Sequence, residues 1–258
     1  MQCNYRCTMC TYSDPQEVKK IRYKEVLSDE LYDKILYEIK QHQCPSVGFN
    51  MLNEPLLDKK IIGRIRKATE AGVIDSRMNT NASLLTEEKA EELIDAGLTR
   101  LLVGLDAYTA ETYSQVRIGG NFDLVMQNVE NFLKIRERKK KKLPILRVSF
   151  VRLSINEDEI CDFIDYWKKK ADLIAIQEYQ PPFDNNEYVG KHAASKLIPE
   201  DYTCPQPYER MVIKGNGNMY PCCAQYNHTL LMGNLNENTI QETWNSEHWR
   251  KMRQHMKD

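Results

Sequence analysis

The chain lacks the features that would place it in a membrane or on a nucleic acid. No stretch approaches the roughly 18 consecutive apolar residues that a transmembrane helix needs, and no signal peptide precedes the first cysteines. The 36 basic and 37 acidic residues nearly cancel, to a net charge of −1, so no overall field attracts nucleic acid or anionic lipid. We therefore expect a cytoplasmic protein that binds neither nucleic acid nor membrane.

Histidine is also scarce, with five residues in 258, and none lies before His42. The histidines are scattered, and their spacing forms no metal-binding triad. Cysteine, in contrast, is plentiful for a chain without secretory features, with eight residues. In a reducing compartment such cysteines point to metal ligation or catalysis rather than to structural disulfides. The cysteines are therefore the first candidates for a functional site.

Three of these cysteines, Cys3, Cys7 and Cys10, stand together near the N-terminus with the spacing CxxxCxxC. Thiolates are the usual ligands of iron–sulfur clusters, and a complete cubic [4Fe–4S] site takes four of them. Three close thiolates without a nearby fourth favour a cluster that keeps one iron open for a small molecule. A structural zinc site or a set of disulfides are the alternatives, although zinc sites usually pair two CxxC knuckles or add histidines.

Beyond these cysteines, helical and strand patterns alternate from residue 29 to about residue 177. The patterns predict helices near residues 31–39, 61–72, 86–97, 122–135 and 156–169, and strands near residues 47–51, 76–80, 101–105, 145–153 and 173–176. Strands separated by helices at this rhythm imply parallel βαβ units whose sheet is covered by helices. The fold class is therefore α/β. An open doubly wound sheet and a partial α/β barrel both fit the pattern.

A second cysteine-containing region follows a polar connector. Met211–Ile213 and Met219–Tyr220 flank a Gly/Asn turn and predict a β-hairpin, with Cys222 at its far end. Residues 240–255 predict one helix. We expect a first domain at residues 1–180, a connector at 181–203 and a small extension at 204–258.

The CxxxCxxC loop resembles the signature of the radical S-adenosylmethionine (radical SAM) superfamily. The resemblance implies that Cys3, Cys7 and Cys10 hold a [4Fe–4S] cluster whose open iron binds SAM. In that family an electron from the cluster cleaves SAM, and the resulting 5′-deoxyadenosyl radical abstracts a hydrogen atom from the substrate. The family fold is a partial (β/α)6 TIM-like barrel. Because only two residues precede Cys3, the resemblance implies that the first strand is trimmed here.

Further motifs match the family in the family's order. Glu54 lies in a segment that resembles the GEP motif, which binds the SAM amino group, and a carboxylate suits an ammonium partner. Asn81 lies in a segment that resembles the family's TNG motif, and the resemblance makes Asn81 and Asp106 candidates for SAM contact or site architecture. Asp106 ends a strand, but relatives often contact SAM through a serine two residues earlier, where this chain has Gly104. Arg147 resembles an arginine that pairs with the SAM carboxylate; an outward-facing strand residue is the alternative.

The extension resembles the SPASM or twitch domain of radical SAM enzymes, which holds an auxiliary iron–sulfur cluster. Cys204 and Cys222 match its ligand pattern, and a zinc site is the alternative. Relatives complete this cluster with a CxxC pair soon after the final helix, so the resemblance implies truncation beyond Asp258 or a degraded second site. Some relatives use a thiol to return a hydrogen atom to the substrate radical. Cys223 is our candidate for that role, with packing or ligation as alternatives.

The resemblance leaves the reaction open between two substrate classes. Relatives with such extensions oxidise or epimerise sugars and cyclitols, or modify peptides and proteins. The short barrel without a recognisable peptide-binding domain favours a small polar substrate, and Gln177, Glu178 and Tyr179 end the last strand as candidates to contact it. An electron donor such as flavodoxin or ferredoxin is implied. A zinc-binding scaffold and a SAM-binding pseudoenzyme are the alternatives from other functional classes.

Overall fold

The computed structural model of the chain describes residues 3–10, 13, 26–51, 53–179, 204–223 and 230–256. The chain divides into two compact units. The larger unit consists of Gln2–Arg22 and Pro45–Ser195, and the smaller unit consists of Met1, Tyr23–Cys44 and Lys196–Asp258. In the described residues, no helix is long and apolar enough to cross a bilayer.

Five parallel strands in sequential order form the sheet of the larger unit. They are β1 (Ser46–Gly48), β2 (Asp75–Thr80), β3 (Arg100–Gly104), β4 (Ile145–Arg152) and β5 (Leu173–Glu178). The intervening helices are α2 (Ile61–Glu70), α3 (Glu87–Asp95), α4 (Ala110–Val116), α5 (Phe122–Arg138) and α6 (Ile160–Trp167). This succession of strand and helix confirms the predicted α/β class, and each predicted strand is present.

One face of the sheet packs against these helices and forms the main core. Leu101 and Val103 of β3, with Val148 and Phe150 of β4, are fully buried there. They share a cluster with side chains of the covering helices, Leu93, Val125, Val129, Phe132, Phe163 and Trp167. Because each of these helices buries one apolar face in this core, its apolar residues recur at helical spacing in the sequence.

The opposite face of the sheet is more polar. Successive side chains of a strand point to alternate faces, so the residues between the core positions lie on this second face. The register pairs Leu102 with Arg147 and Gly104 with Ser149 across β3 and β4, and it pairs Arg77 with Arg100 across β2 and β3. In a β/α fold of this kind, function resides at the carboxyl ends of the strands.

The structure differs from the predicted elements in three places of the larger unit, of which the first is an unpredicted 3₁₀ helix, Pro55–Leu57. Helix α4 was not predicted; it has seven residues, and Thr109 caps it by accepting a hydrogen bond from the Thr112 N–H at 3.3 Å. Such a short helix contains too few turns to show an apolar period. The predicted helix at 156–169 instead begins with a 3₁₀ turn, Glu157–Glu159, and continues as the shorter α6.

The smaller unit contains a three-stranded antiparallel sheet and one long helix. The sheet consists of β6 (Val212–Ile213), β7 (Asn218–Tyr220) and β8 (Gly233–Asn234), and it includes the predicted hairpin. Helix α1 (Asp29–Gln41) belongs to this unit, with Leu31 in one apolar cluster with Met219 and Leu235. The domain boundaries predicted from the sequence stay predictions.

The single helix predicted at residues 240–255 is wrong, since the chain forms two helices there. A short α7 (Gln206–Glu209) precedes them, and they are α8 (Ile240–Trp244) and α9 (Glu247–His255). Ser246 starts α9 as its N-cap and accepts a hydrogen bond from the Trp249 N–H at 3.2 Å. A serine at this point satisfies an amide that a continuous helix would have bonded to its own backbone.

Candidate cofactor site at the N-terminal cysteine loop

The cysteine loop, Cys3–Cys10, is fixed to the segment that follows helix α4. The N–H of Arg6 donates to the carbonyl of Ile118 at 2.8 Å, and the N–H of Thr8 donates to the carbonyl of Val116 at 3.0 Å. Cys7 is buried in the main core cluster, and the half-buried Cys3 and Cys10 pack against it. The structure therefore places the three predicted cluster ligands in, or packed against, the core of the larger unit.

A hydrogen-bonded network ties the same loop to the end of strand β2. The side-chain amide of Asn81 donates to the Asn4 oxygen at 2.9 Å, and the Asn4 amide donates to the Ser83 hydroxyl at 2.9 Å. Ser83 closes the network by donating to the Asn81 side-chain oxygen from its hydroxyl at 2.7 Å. Asn81, which the sequence offered as a SAM contact, is thus an anchor of the cysteine loop in this structure.

Glu54 is buried and follows β1, where it organises the backbone around the site. Its carboxylate accepts hydrogen bonds from the Leu56 N–H at 3.1 Å, the Thr80 hydroxyl at 2.7 Å and the Asn81 N–H at 2.8 Å. Burial raises the pKa of Glu54, and these hydrogen bonds act in the opposite direction. A carboxylate has about four lone-pair sites, so three donors leave room for one ammonium hydrogen bond.

Asp106 follows strand β3 and is held rigidly in a left-handed backbone conformation with φ of 58°. The N–H of Val151 donates to its carboxylate at 2.7 Å, and the Asn156 side-chain amide donates to its carbonyl at 2.8 Å. Its second carboxylate oxygen forms an ion pair with Arg117. Strained conformations of this kind persist where the surroundings fix them, and they cluster at functional sites.

Arg117 connects this carboxylate to the cysteine loop. Its guanidinium donates to the Cys7 Sγ at 3.5 Å while it pairs with Asp106. Burial lowers the pKa of Arg117, but the negative charges of Asp106 and Cys7 outweigh that effect and raise its pKa. Burial raises the pKa of Asp106, which the charge of Arg117 opposes. Because an arginine keeps its proton, a permanent positive charge lies beside Cys7.

The sequence predicts a SAM contact at Arg147, but the contacts around this side chain are of another kind. Arg147 lies on the polar face of β4, where burial and the positive charges of Arg77 and Arg100 lower its pKa. Among the described residues, its Nε is buried without a hydrogen-bond partner. The predicted contact of Arg147 with SAM stays a prediction.

The three substrate candidates at the end of β5 have different surroundings. Gln177 is exposed and pairs in register with Val151. Glu178 forms an ion pair with Arg152, with 3.2 Å between Nη2 and Oε2. Tyr179 is buried in a cluster with Leu153. Their contact with substrate stays a prediction.

The C-terminal cysteines belong to the smaller unit. Cys204 and Cys222 are half-buried, and Cys223 is exposed. Within the described ranges, which include Cys3, Cys7 and Cys10, no three His, Cys, Asp or Glu side chains form a group that could hold a metal ion. Ligation by Cys204 and Cys222, and hydrogen donation by Cys223, stay predictions.

The donor chemistry of the cysteine loop fits an iron–sulfur cluster. Thiolates are the standard ligands of such clusters, and hydrogen bonds to their sulfurs are a usual feature of the sites. The hydrogen bond from Arg117 to the Cys7 sulfur is of this kind. The sequence patterns predicted no role for Arg117, Asn4 or Ser83. The available signal was the polar character of these residues, one inside the cysteine loop and two in the segments that follow β2 and α4.

Comparison with known families identifies two regions of the chain. The radical SAM superfamily matches residues 2–166. The SPASM family, described as an iron–sulfur cluster-binding domain, matches residues 204–258. These matches confirm the predicted cofactors, a [4Fe–4S] cluster and SAM, with auxiliary iron–sulfur binding in the SPASM domain.

Curated relatives include several GTP 3′,8-cyclases. The protein of Clostridium botulinum strain Hall is 29% identical over 214 residues, which cover 77% of this chain and 62% of the relative. The protein of Limosilactobacillus fermentum is 28% identical over 184 residues, which cover 70% of this chain and 52% of the relative. The chain therefore spans little more than half the length of these relatives.

Solved structures with the same fold contain different kinds of bound molecule. BtrN in complex with AdoMet and 2-DOIA matches with a TM-score of 0.63 at 18% identity, covering 99% of this chain and 83% of BtrN. The anSMEcpe structure with bound AdoMet matches at 0.74 and 16% identity, covering 96% and 79%. Streptococcus suis SuiB bound to precursor peptide SuiA matches at 0.75 and 17% identity, covering 98% and 64%. With the cysteine loop, its anchors and both matched regions in place, this chain belongs to the radical SAM superfamily and carries a SPASM domain.

Proposed function

We propose that this chain is a radical SAM enzyme that oxidises or epimerises a small polar substrate of the sugar or cyclitol type. The observation that carries the proposal is the anchored cysteine loop, in which hydrogen bonds of Arg6, Thr8 and Asn4 hold the segment that carries the three cysteines. When bound, the cluster and SAM supply the electron and the radical that remove a substrate hydrogen. The protein binds and orients these groups and shields them from water.

Each site residue has a defined task in this proposal. Cys3, Cys7 and Cys10 hold the cluster. Glu54 accepts the ammonium group of SAM through its remaining lone pair, as a charge-assisted hydrogen bond. Asn81 keeps the cysteine loop in register with β2 through Asn4. The electron comes from a small donor protein such as flavodoxin or ferredoxin.

The polar face of the sheet supports a polar substrate. Arg77 and Arg147 lie on that face, and Ser149 lies near its carboxyl end. Hydrogen-bonding groups of this type fix the orientation of a small ligand in a pocket. The likeness to BtrN supports the same class, because that structure contains a small molecule and 83% of its chain is covered.

Peptide modification is the second candidate, and the likeness to SuiB with its precursor peptide favours it. A deuterium-transfer assay separates the two classes. Deuterated sugars and cyclitols, and deuterated peptides, are each incubated with protein, SAM and dithionite, and the recovered 5′-deoxyadenosine is analysed by mass spectrometry. Deuterium arriving from a sugar or cyclitol supports the first candidate, and deuterium arriving only from a peptide replaces it with the second.

The radical SAM activity itself is tested before any substrate is known. Protein reconstituted anaerobically with iron and sulfide is expected to turn brown and, with SAM and dithionite, to release 5′-deoxyadenosine. Colourless protein that takes up zinc would support the zinc scaffold. Brown protein that releases no 5′-deoxyadenosine would support the SAM-binding pseudoenzyme. The assay is run on the longest native form of the chain.

A further inference from the structure

We propose that Arg117 is a positioning residue that tunes the reduction potential of the open cluster through the Cys7 thiolate. The proposal rests on the function proposed above, because it requires a cluster on Cys7. Its starting point is the geometry, in which one guanidinium donates to the Cys7 Sγ at 3.5 Å and pairs with the buried Asp106. The guanidinium therefore connects a proposed cluster ligand, Cys7, to a buried carboxylate, Asp106.

The place that the guanidinium occupies is provided by Gly104. A Cβ atom built on Gly104 would lie 3.2 Å from Cζ and 3.4 Å from Nη1 of Arg117, and it would overlap Nη2. Any side chain at position 104 therefore displaces the arginine. The serine that relatives often carry at this position would not leave room for Arg117 in its present place. The glycine at position 104 therefore provides the space that the guanidinium fills.

The backbone around Arg117 holds the guanidinium and the cysteine loop together. The N–H of Arg117 donates to the Tyr113 carbonyl at 2.7 Å and ends helix α4. The carbonyls on either side of Arg117, those of Val116 and Ile118, accept the loop hydrogen bonds from Thr8 and Arg6. The backbone contacts therefore hold the Arg117 segment against the cysteine loop, and the ion pair with Asp106 holds the guanidinium.

The expected effect on the cluster follows from charge. A hydrogen bond and a positive charge at a ligand sulfur favour the reduced cluster, which carries more negative charge, so they raise its potential. The Asp106 carboxylate acts in the opposite direction, and Arg117 shields Cys7 from it. Loss of Arg117 both removes the donor and exposes Cys7 to a buried carboxylate, and the potential must fall.

The test is the midpoint potential of the reconstituted cluster without SAM, followed by EPR during redox titration. We expect Arg117→Gln to lower the equilibrium constant for one-electron reduction of the cluster about tenfold. This corresponds to a midpoint potential about 59 mV lower. Arg117→Lys, which keeps the charge, is expected to lie between Arg117→Gln and the unmodified protein. Arg136→Gln is the matched control, because this arginine of helix α5 also pairs with an aspartate, Asp172, and has no role in the site, so the potential should stay unchanged.

A second variant keeps the test decisive if Arg117→Gln leaves Asp106 unpaired and folds poorly. Asp106→Asn/Arg117→Gln removes both charges, and the proposal predicts normal iron content with a lowered potential, because the hydrogen bond to Cys7 is lost. An unchanged potential in the variant that binds iron overturns the proposal. Failure of both variants to bind iron also overturns it and makes Arg117 a folding residue. Failure of the unmodified protein to bind iron counts against the proposed function instead.

Discussion

The two cysteine regions of the molecule are built in different ways. In the larger unit, the cysteine loop is connected to β2 through Asn4 and to the end of α4 through backbone hydrogen bonds. In the smaller unit, the described contacts hold the hairpin turn: the Asn234 side chain donates to the Asn218 oxygen at 2.7 Å, and the Asn236 amide donates to the Asn216 carbonyl at 3.0 Å. The first region anchors the residues between its cysteines to two other segments, whereas the described contacts of the second region hold the turn ahead of Cys222.

This difference shows which of the two cysteine regions is held in a fixed geometry before a cluster binds. A site whose chemistry requires an open iron needs its three ligands held by the protein, since no fourth ligand completes the geometry. The described part of the SPASM region offers a rigid hairpin on which further ligands can be arranged. The larger unit should therefore tolerate ligand loss least.

The largest expected effect comes from removing one thiolate of the loop. Cys7→Ala should abolish both cluster assembly and 5′-deoxyadenosine release, because Cys7 is a ligand and the partner of Arg117. Cys222→Ala is the matched change in the smaller unit and should keep the SAM-cleaving cluster while the total iron content falls. Iron content and 5′-deoxyadenosine are measured on both. Equal loss of 5′-deoxyadenosine in both variants would remove the distinction between the two regions.

The next effect concerns SAM binding at Glu54. Glu54→Gln should weaken SAM binding at least tenfold, since hydrogen bonds to charged groups contribute about 1.5–3 kcal/mol. Binding is measured by titration of the reconstituted protein. Glu159→Gln is the control, because Glu159 also accepts backbone hydrogen bonds, from Tyr108 and Thr109, but at the start of α4. Similar SAM affinity in both variants would count against the assignment of Glu54.

The next prediction compares two Gly→Ala substitutions, one in the rigid turn of the smaller unit and one in a helix of the larger unit. Gly217 has a φ of +87°, and an added Cβ would meet Asn236 Nδ2 at 2.6 Å and Asn234 Oδ1 at 2.8 Å. Gly217→Ala should lower the free energy of unfolding by about 1–3 kcal/mol, because the residue becomes strained and crowded. Gly63→Ala, on the exposed side of α2 with no atom within 4 Å, should instead raise it by about 0.5–1 kcal/mol. Denaturant unfolding gives both values, and a neutral Gly217→Ala would refute the strained turn.

The smallest effect is a pH dependence in the same unit. Burial lowers the pKa of Lys214 to about 8 from its ordinary value of 10.5, and its Nζ lies 4.2 Å from the Tyr220 ring centroid. Between these two pH values the unfolded chain holds the extra proton, so the stability of the folded protein rises with pH. Lys214→Met should flatten this rise, whereas Lys251→Met on the exposed side of α9 should keep it. Unfolding free energies between pH 7.5 and about 10.5 provide the comparison, and identical slopes in the two variants would contradict it.

The sequence predicted the sheet well because each strand and helix carries its own local signal. The helix predicted near residues 86–97, for example, begins at a good capping residue, Thr86, which accepts a hydrogen bond from the Lys89 N–H at 3.3 Å. Helix α4 and the break at Ser246 were missed because short helices and caps leave only a weak period. The predicted contact of Glu54 with SAM stays a prediction, and its hydrogen-bond donors Thr80 and Asn81 come from a segment that the motif around Glu54 does not include.

The contacts that define the candidate site were the least predictable part. Arg117 and Cys7 are separated by 110 positions, and Asn81 and Asn4 are separated by 77. Local patterns carry no information on which distant side chains meet. The space at Gly104 illustrates this, because a missing side chain has meaning only when its neighbour is known.

The most direct test of the central claim is EPR spectroscopy of the anaerobically reconstituted, dithionite-reduced protein before and after addition of SAM. The account predicts the signal of a reduced [4Fe–4S] cluster that depends on the three loop cysteines and changes when SAM is added. A protein that shows no such cluster, or a cluster whose signal is unaffected by SAM, would contradict an open iron held by Cys3, Cys7 and Cys10.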